Sequence, residues 1–318
     1  MLKKYNIAMF GTGKIAHKIS GALTVCEDRI VRYGVASRNK SHAEKFAKVN
    51  GFQKVYEDYT ELLNDTEIDF VYISTPTEMH YEHMKMCLLA GKNVICEKPF
   101  ALNLKQAEEL IALSEGSGLI CMDAMWSMYM PMWKDVSELI DKGRLGKLKF
   151  LSASFGYPGL NVPRLFNPNG GGAFYDLGVY CVTAAKRILG NSYCIMKADF
   201  DCYQGVDVVN KIKLQMGSCK VRMHSSIKRR NSYLLSVIGT KGMILSRKFW
   251  QGRNFYFWKY PFGIKKYVYT HEKNGYEYEL KEMIHLLDER RTDSLKWRHE
   301  DTLEVVSCMD EIRAYAKR

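Results

Sequence analysis

"YNIAMFGTGKIAHKISGAL", residues 5–23, decides the fold. The apolar run that starts at Tyr5 reaches Gly11 with no helical periodicity, as a buried strand does. After Lys14 the apolar residues return at helical spacing, at Ile15, Ala16, Ile19, Ala22 and Leu23. Strand and helix are joined by G-x-G-x-x-A, with Gly11, Gly13 and Ala16 at the marked positions. Gly11 permits a tight turn, Gly13 lets the backbone approach a pyrophosphate, and Ala16 allows close helix–strand packing. Thr12, Lys14 and Ile15 complete the turn, whose helix N-terminus faces the anion. The expectation is a dinucleotide site over residues 11–16.

The same alternation continues outward. Strand patterns at 30–37, 69–75, 93–99 and 119–124 are separated by helical patterns at 41–51, 77–92 and 103–118. That rhythm predicts a doubly wound parallel sheet, an α/β Rossmann domain over residues 1–124. Beyond residue 125 the period changes. After a helix near 130–142 come runs of period-two alternation at 147–156, 194–203, 207–216, 219–227, 232–239 and 265–272, with helices near 172–189, 276–290 and 301–316. These predict an α+β domain over 125–318 built on a mostly antiparallel open sheet.

Composition sets outer limits. The chain has 318 residues, 47% of them hydrophobic, enough for two cores. No run of 18 apolar residues occurs, so no membrane span is expected. Nine cysteines, with no C-x-x-C pair, predict free thiols and a cytoplasmic protein. The net charge of +12 is dispersed, and no nucleic-acid docking motif accompanies it. His80 and His83 are three apart but lack a third spaced ligand, so no metal is expected.

The end of the second strand bears on the cofactor. An NAD site usually carries an acid there; "GVASRNK" offers Ser37 and Arg38 instead. A hydroxyl and a guanidinium suit a 2′-phosphate, which points to NADP, with NAD still possible.

Acid, base and proline interrupt the fourth strand pattern in "NVICEKPFALN", residues 93–103. Pro99 bars Lys98 from helical geometry, so the chain turns where ligands of such sheets gather. "GTGKIA", "STPTEMH" and above all "CEKP" resemble the Gfo/Idh/MocA oxidoreductase family. The resemblance implies that Glu97 and Lys98 line the active site. It also implies that Ser74, Thr75, Pro76 and His80 hold the ribose and nicotinamide of the cofactor.

A second motif is "RLFNPNGGGAFYDLGVYCVTAAKRILG", residues 164–190. Gly170–Gly172 read as a mobile approach into a helix on which Asp176 and Tyr180, four apart, share one face. On spacing alone these read as a first-turn acid and a core aromatic. Much of the family has D-x-G-x-H here; Tyr180 replaces the histidine, as in the branch of dihydrodiol dehydrogenase and glucose–fructose oxidoreductase. The resemblance implies Tyr180 as acid/base, with Lys98 as its electrostatic partner and Asp176 as positioner. A free tyrosine, with a pKa of about 10, is a poor base at neutral pH, and a nearby ammonium lowers that value. Trp126, Phe155 and Tyr157 form either an apolar wall for substrate or ordinary core. Arg164 binds an anionic group or pairs with an acid. The aromatic stretch 249–263, read as a hairpin, covers the site or joins a subunit interface. The family implies a homo-oligomer, a dimer through the second sheet. The expected activity is NADP-dependent hydride transfer to or from a sugar or dihydrodiol-like alcohol. The alternative is a non-catalytic dinucleotide sensor of the same fold.

Overall fold

In the computed structural model, which describes residues 3–317, β1 (Tyr5–Phe10) is buried at every position except Asn6, which is half-buried. That pattern belongs to a strand covered on both faces. It pairs in parallel with β2 (Ile30–Ala36) and β4 (Phe70–Ile73). β3 (Lys54–Val55), β5 (Asn93–Glu97) and β6 (Cys121–Ala124) extend a six-stranded sheet in the order β3-β2-β1-β4-β5-β6. Among the described residues its strands all pair in parallel.

The crossovers run through α1 (Lys14–Leu23), α2 (Lys40–Asn50), α3 (Tyr59–Asn64), α4 (His80–Leu89) and α5 (Leu104–Ser117). Their ends follow local chemistry. Asn39, Asp58 and Asn103 cap α2, α3 and α5 by accepting from the amides of Ser41, Glu61 and Gln106. Gly51 and Gly118 close α2 and α5 in the left-handed region, with φ of 74° and 68°. The short pair β3 and α3 is absent from the sequence reading, because six residues of helix and two of strand are too brief to show a period. The helix expected over 77–92 is a 3₁₀ turn at Thr77–Met79 followed by α4.

By compactness the chain forms two units, Met1–Tyr129 with His271–Thr302, and Met130–Thr270 with Leu303–Arg318. The linear division at 124/125 gives the order of the two folds along the chain. Compactness adds α8 (Glu277–Glu289) and the start of α9 (His299–Ala316) to the first unit.

The second unit holds α6 (Pro131–Asp141), α7 (Val179–Leu189) and an eight-stranded sheet. Its strands are β7 (Leu148–Gly156), β8 (Cys194–Tyr203), β9 (Val206–Met216), β10 (Cys219–Ser226), β11 (Leu234–Gly239), β12 (Gly242–Arg247), β13 (Asn254–Lys259) and β14 (Ile264–Val268). The order is β14-β13-β12-β11-β7-β10-β9-β8, antiparallel except where β7 meets β10. The mostly antiparallel sheet of the sequence reading is therefore present, with β12 and β13 added. Residues 249–263 are not a hairpin by themselves: they comprise a 3₁₀ turn, β13 and the turn into β14.

Candidate active site

In the first unit the strand order reverses between β1 and β4, the crevice where open α/β sheets bind ligands. Gly11 follows β1 with φ 94°, and a side-chain carbon there would lie 3.2 Å from the Ser74 carbonyl oxygen. Its amide donates to Ala36 O at 3.0 Å. Ser74 holds the other wall, its amide donating to Phe10 O at 2.9 Å and its hydroxyl to the same oxygen at 3.1 Å. Gly13 is the N-cap residue of α1, with no side-chain cap and no acid in the first turn. Nothing among the described residues lies within 4 Å of a side-chain carbon built there. The space beside the Gly13 Cα is thus open, while the backbone behind Gly11 is closed. Thr12 and Ile15 are half-buried, Lys14 is exposed and Ala16 is fully buried. This cradle fits a dinucleotide pyrophosphate.

At the end of β2, Ser37 is half-buried and Arg38 exposed. Beside them stands a ring cluster that sequence reasoning missed. Phe10 and Tyr59 have centroids 4.4 Å apart, and His83 lies 4.7 Å from Tyr59 and 5.6 Å from Phe10. Burial pushes the His83 imidazole down to about 4, and the His80 and Arg38 charges add to this. His83 Nδ1 is 2.9 Å from Thr75 Oγ1, so the His80/His83 spacing serves the turn after β4.

His80 is buried, with 1% of its surface exposed. Its Nδ1 is 2.9 Å from Pro99 O and its Nε2 3.0 Å from Thr75 O. A neutral imidazole donates to one of these two carbonyls, and in either tautomer His80 packs between the turn after β4 and the turn after β5. Pro76 is exposed and Thr75 half-buried. Lys98 is half-buried at the end of β5, and Glu97 is buried just before it. Trp126 is 6% exposed and stacks on Tyr276 at 4.4 Å, which is the core option of the sequence reading.

In the second unit the helix of the second motif starts with a π turn, Phe174–Gly178, before α7. Asp176 therefore sits on a wide turn, and its four-residue spacing to Tyr180 is not a regular α-helical repeat; such turns recur at functional sites. Asp176 Oδ2 accepts from the Tyr157 hydroxyl at 2.9 Å. The Arg164 guanidinium donates to Oδ1 at 3.1 Å and Oδ2 at 3.3 Å, a two-pronged clamp that fixes the carboxylate plane. Arg164 thus takes its acid-pairing option, and Tyr157 turns its polar end inward instead of serving as an apolar wall. Burial, then the Asp176 charge, pushes the Tyr157 phenol above its ordinary range.

Tyr180 is 6% exposed, with its ring 5.6 Å from Phe155. Phe155 stacks on Trp250 at 3.5 Å. The motif's glycines do not provide looseness. A side-chain carbon at Gly172, φ 89°, would lie 2.4 Å from Asp207 Oδ1, and one at Gly171 would lie 2.4 Å from Asn167 O. Asp207 accepts from the Phe174 amide at 2.7 Å and from Asn210 Nδ2 at 3.0 Å. It anchors the π turn, and the close approach demands glycine. Asp207 was invisible in the sequence because it lies 31 residues beyond Asp176 on β9.

A parallel sheet with an open phosphate turn at its switch point defines a dinucleotide-binding enzyme class. Residues 5–124 match the family described as "Oxidoreductase family, NAD-binding Rossmann fold", and residues 133–245 match the GFO/IDH/MocA C-terminal domain. The chain belongs to the Gfo/Idh/MocA family and is an oxidoreductase that uses a nicotinamide dinucleotide. It is 33% identical over 251 residues to trans-1,2-dihydrobenzene-1,2-diol dehydrogenase of Xenopus laevis, covering 77% of this chain and 75% of that protein. Its fold is that of a 3-ketoreductase from Actinomadura kijaniata solved with NADP and TDP-benzene, at a TM-score of 0.90, 23% identity and 98% coverage of both chains. Levoglucosan dehydrogenase, in complex with NADH and levoglucosan, gives a TM-score of 0.89 at 17% identity, covering 99% of this chain and 97% of that one.

Proposed function

We propose that this protein transfers hydride between NADP and a secondary alcohol or carbonyl group of a sugar-like or dihydrodiol substrate. The observation that carries the proposal is the open Gly13 cradle after β1, with Lys98 after β5, two strands along in the same sheet. The relatives' name as trans-dihydrodiol dehydrogenases, and the levoglucosan bound in one solved neighbour, support the substrate class. Arg38 at the end of β2, where no acid stands between Ile30 and Arg38, supports NADP over NAD.

When bound, the nicotinamide supplies the hydride acceptor or donor. Tyr180 takes the hydroxyl proton during oxidation and returns it during reduction. Lys98 offsets the charge that grows on the substrate oxygen. Asp176, held by Arg164 and Tyr157, presents a fixed carboxylate that orients the substrate hydroxyl. On this reading residues 1–124 bind the dinucleotide and 125–318 the substrate. Exposed Met196, Tyr203, Tyr256 and Trp258 on strands of the second sheet support a homodimer formed through that sheet. Nine free cysteines support a cytoplasmic setting.

The test is a screen that follows NADPH absorbance with trans-1,2-dihydrobenzene-1,2-diol, aldoses, inositols and keto sugars. Turnover of one class is the expected result. Tight NADP binding with no turnover across the panel, in both directions, overturns catalysis in favour of dinucleotide sensing.

A further inference from the structure

Three polar side chains of the first unit meet in its interior. The Tyr72 hydroxyl, on β4, lies 2.9 Å from Glu97 Oε1 and 2.7 Å from Glu279 Oε1, the latter on α8. Tyr72 and Glu279 are 0% exposed and Glu97 is 6% exposed. A phenol carries one proton and can donate it to one carboxyl only. The second oxygen–oxygen approach is hydrogen-bond length as well, so it needs a proton of its own. That proton must belong to a carboxyl. Two carboxylates on one phenol oxygen, away from water, would leave one repulsive contact in a medium that screens charge poorly.

The surroundings say which carboxyl holds it. Burial pushes the Glu97 carboxyl up to about 7, and the Lys98 charge, the Tyr72 hydroxyl and the Lys98 N–H that it accepts all pull against that rise towards the ionised form. Burial and the charges of Glu97, Asp123 and Glu277 all push Glu279 well above the carboxylate range, against the Tyr72 hydrogen bond. Its Oε2 is buried with no hydrogen-bond partner among the described residues. An unpartnered carbonyl oxygen of a neutral acid costs far less than an unpartnered anionic one.

The groups facing the pair from the other elements keep their own partners. Glu277 is ionised, its carboxylate accepting three amides, from Lys273, Asn274 and Gly275. Asp123 on β6 accepts at Oδ2 from Trp297 Nε1 and Thr302 Oγ1, its Oδ1 being buried with no partner among the described residues, and Glu282 accepts from Ser294 and pairs with Lys296. The Tyr129 hydroxyl donates to Asp123 O, and the Tyr276 ring stacks on Trp126.

We propose that Glu279 is a neutral carboxylic acid which, through Tyr72, keeps Glu97 as the single anion beside Lys98, making Tyr72 and Glu279 positioning residues of the hydride-transfer site. The acid donates to Tyr72, Tyr72 donates to Glu97, and Glu97 accepts the Lys98 amide. One directed chain therefore fixes the turn that carries Lys98, and one buried anion balances one cation. Losing the proton would place a second anion in the same pocket of charge. The functional half of this proposal rests on Lys98 acting in the reaction. The protonation half does not.

The experiment is infrared spectroscopy of the full-length protein carrying ¹³C-labelled glutamate, titrated through neutral pH. The isotope separates the carbonyl stretch of a protonated glutamic acid from that of Asp123. One glutamic acid band is expected to persist at neutral pH and to vanish in Glu279→Gln, whose amide still donates to Tyr72. Tyr72→Phe should keep the band and shift its frequency, because the acceptor is gone. No protonated glutamate in the unsubstituted protein at neutral pH overturns the proposal, and this measurement needs no variant to fold. A band that survives Glu279→Gln also overturns it. With trans-1,2-dihydrobenzene-1,2-diol as probe, Glu279→Gln should remove the alkaline limb of the kcat/KM profile, and an unchanged limb refutes the positioning role. If this diol is not turned over, the failure falls on the assigned function and the infrared result stands by itself.

Discussion

The phosphate turn of the first unit and the π turn of the second are built from opposite materials. At Gly11–Ala16 the working groups are main-chain amides, and the sequence contributes mostly by leaving side chains out: a built carbon at Gly13 meets nothing. At Phe174–Tyr180 the working groups are side chains, each held by partners far away in the chain: Asp176 by Arg164 and Tyr157, and the turn itself by Asp207. Even the glycines differ. Gly13 makes room for a ligand, whereas Gly172 makes room for Asp207. An anion cradle can thus be a local property of a few residues, while an acid/base site needs tertiary partners that set protonation and direction.

Substitutions can break or sharpen that contrast. Tyr180→Phe carries the largest expected effect, a fall in kcat of about 100-fold or more if the phenol moves the proton, with NADP affinity retained in a fluorescence titration. Unchanged turnover would move the chemistry out of the second region. Gly13→Val should weaken NADP by about tenfold, or about 1.4 kcal/mol. Its melting temperature should hold, since the new side chain points into open space; a large loss of stability would show that the turn is structural. Asp176→Asn keeps the volume and removes the charge that Arg164 grips. A decrease of roughly threefold to tenfold in kcat/KM is expected, smaller than for Tyr180→Phe because in the proposed mechanism Asp176 positions and does not itself transfer the proton. Arg38→Ser should lower the preference for NADP over NAD by a few-fold, read from paired titrations at low salt, where surface charge is least screened; an unaltered ratio would remove Arg38 from cofactor choice.

The last test concerns stability in the first unit. Burial raises the Asp123 carboxyl to about 6, against the hydrogen bonds from Trp297 and Thr302. Its folded pKa is above the unfolded value of about 4, so the folded state binds the proton more tightly. Stability from this group is full below about pH 4 and is lost as the pH rises through about 6, on the order of 3 kcal/mol in all. Asp123→Asn should flatten that part of the stability profile relative to the unsubstituted protein. Parallel denaturation curves for the two proteins would refute the assignment.

Much of the first region could be read directly. The helix expected at 14–23 is α1, Lys14–Leu23, residue for residue, because glycine spacing and the change of period both act over a few residues. The strand at 194–203 is likewise β8. The second motif was read from spacing, and there the local rule misled. Asp176 and Tyr180 looked like one α-helical face, yet a π turn intervenes, and no propensity scale marks where a ladder widens by one residue. His80, expected to hold the cofactor, lies buried between the turns after β4 and β5, a placement that its sequence neighbours do not show. Tyr72 and Glu279 were not singled out at all: they lie 207 residues apart and look like an ordinary strand tyrosine and an ordinary helix glutamate.

By itself, then, the sequence determined the backbone plan: which segments are strands, which are helices, where glycine opens a phosphate turn and where proline forces Lys98 out of line. These follow from short-range sterics and from burial periodicity, which each segment carries with it. Tertiary structure alone decided which carboxylates are paired, which are buried without water, and where a proton must sit. Protonation depends on the few ångströms around an atom, and those are filled by residues that only folding brings near.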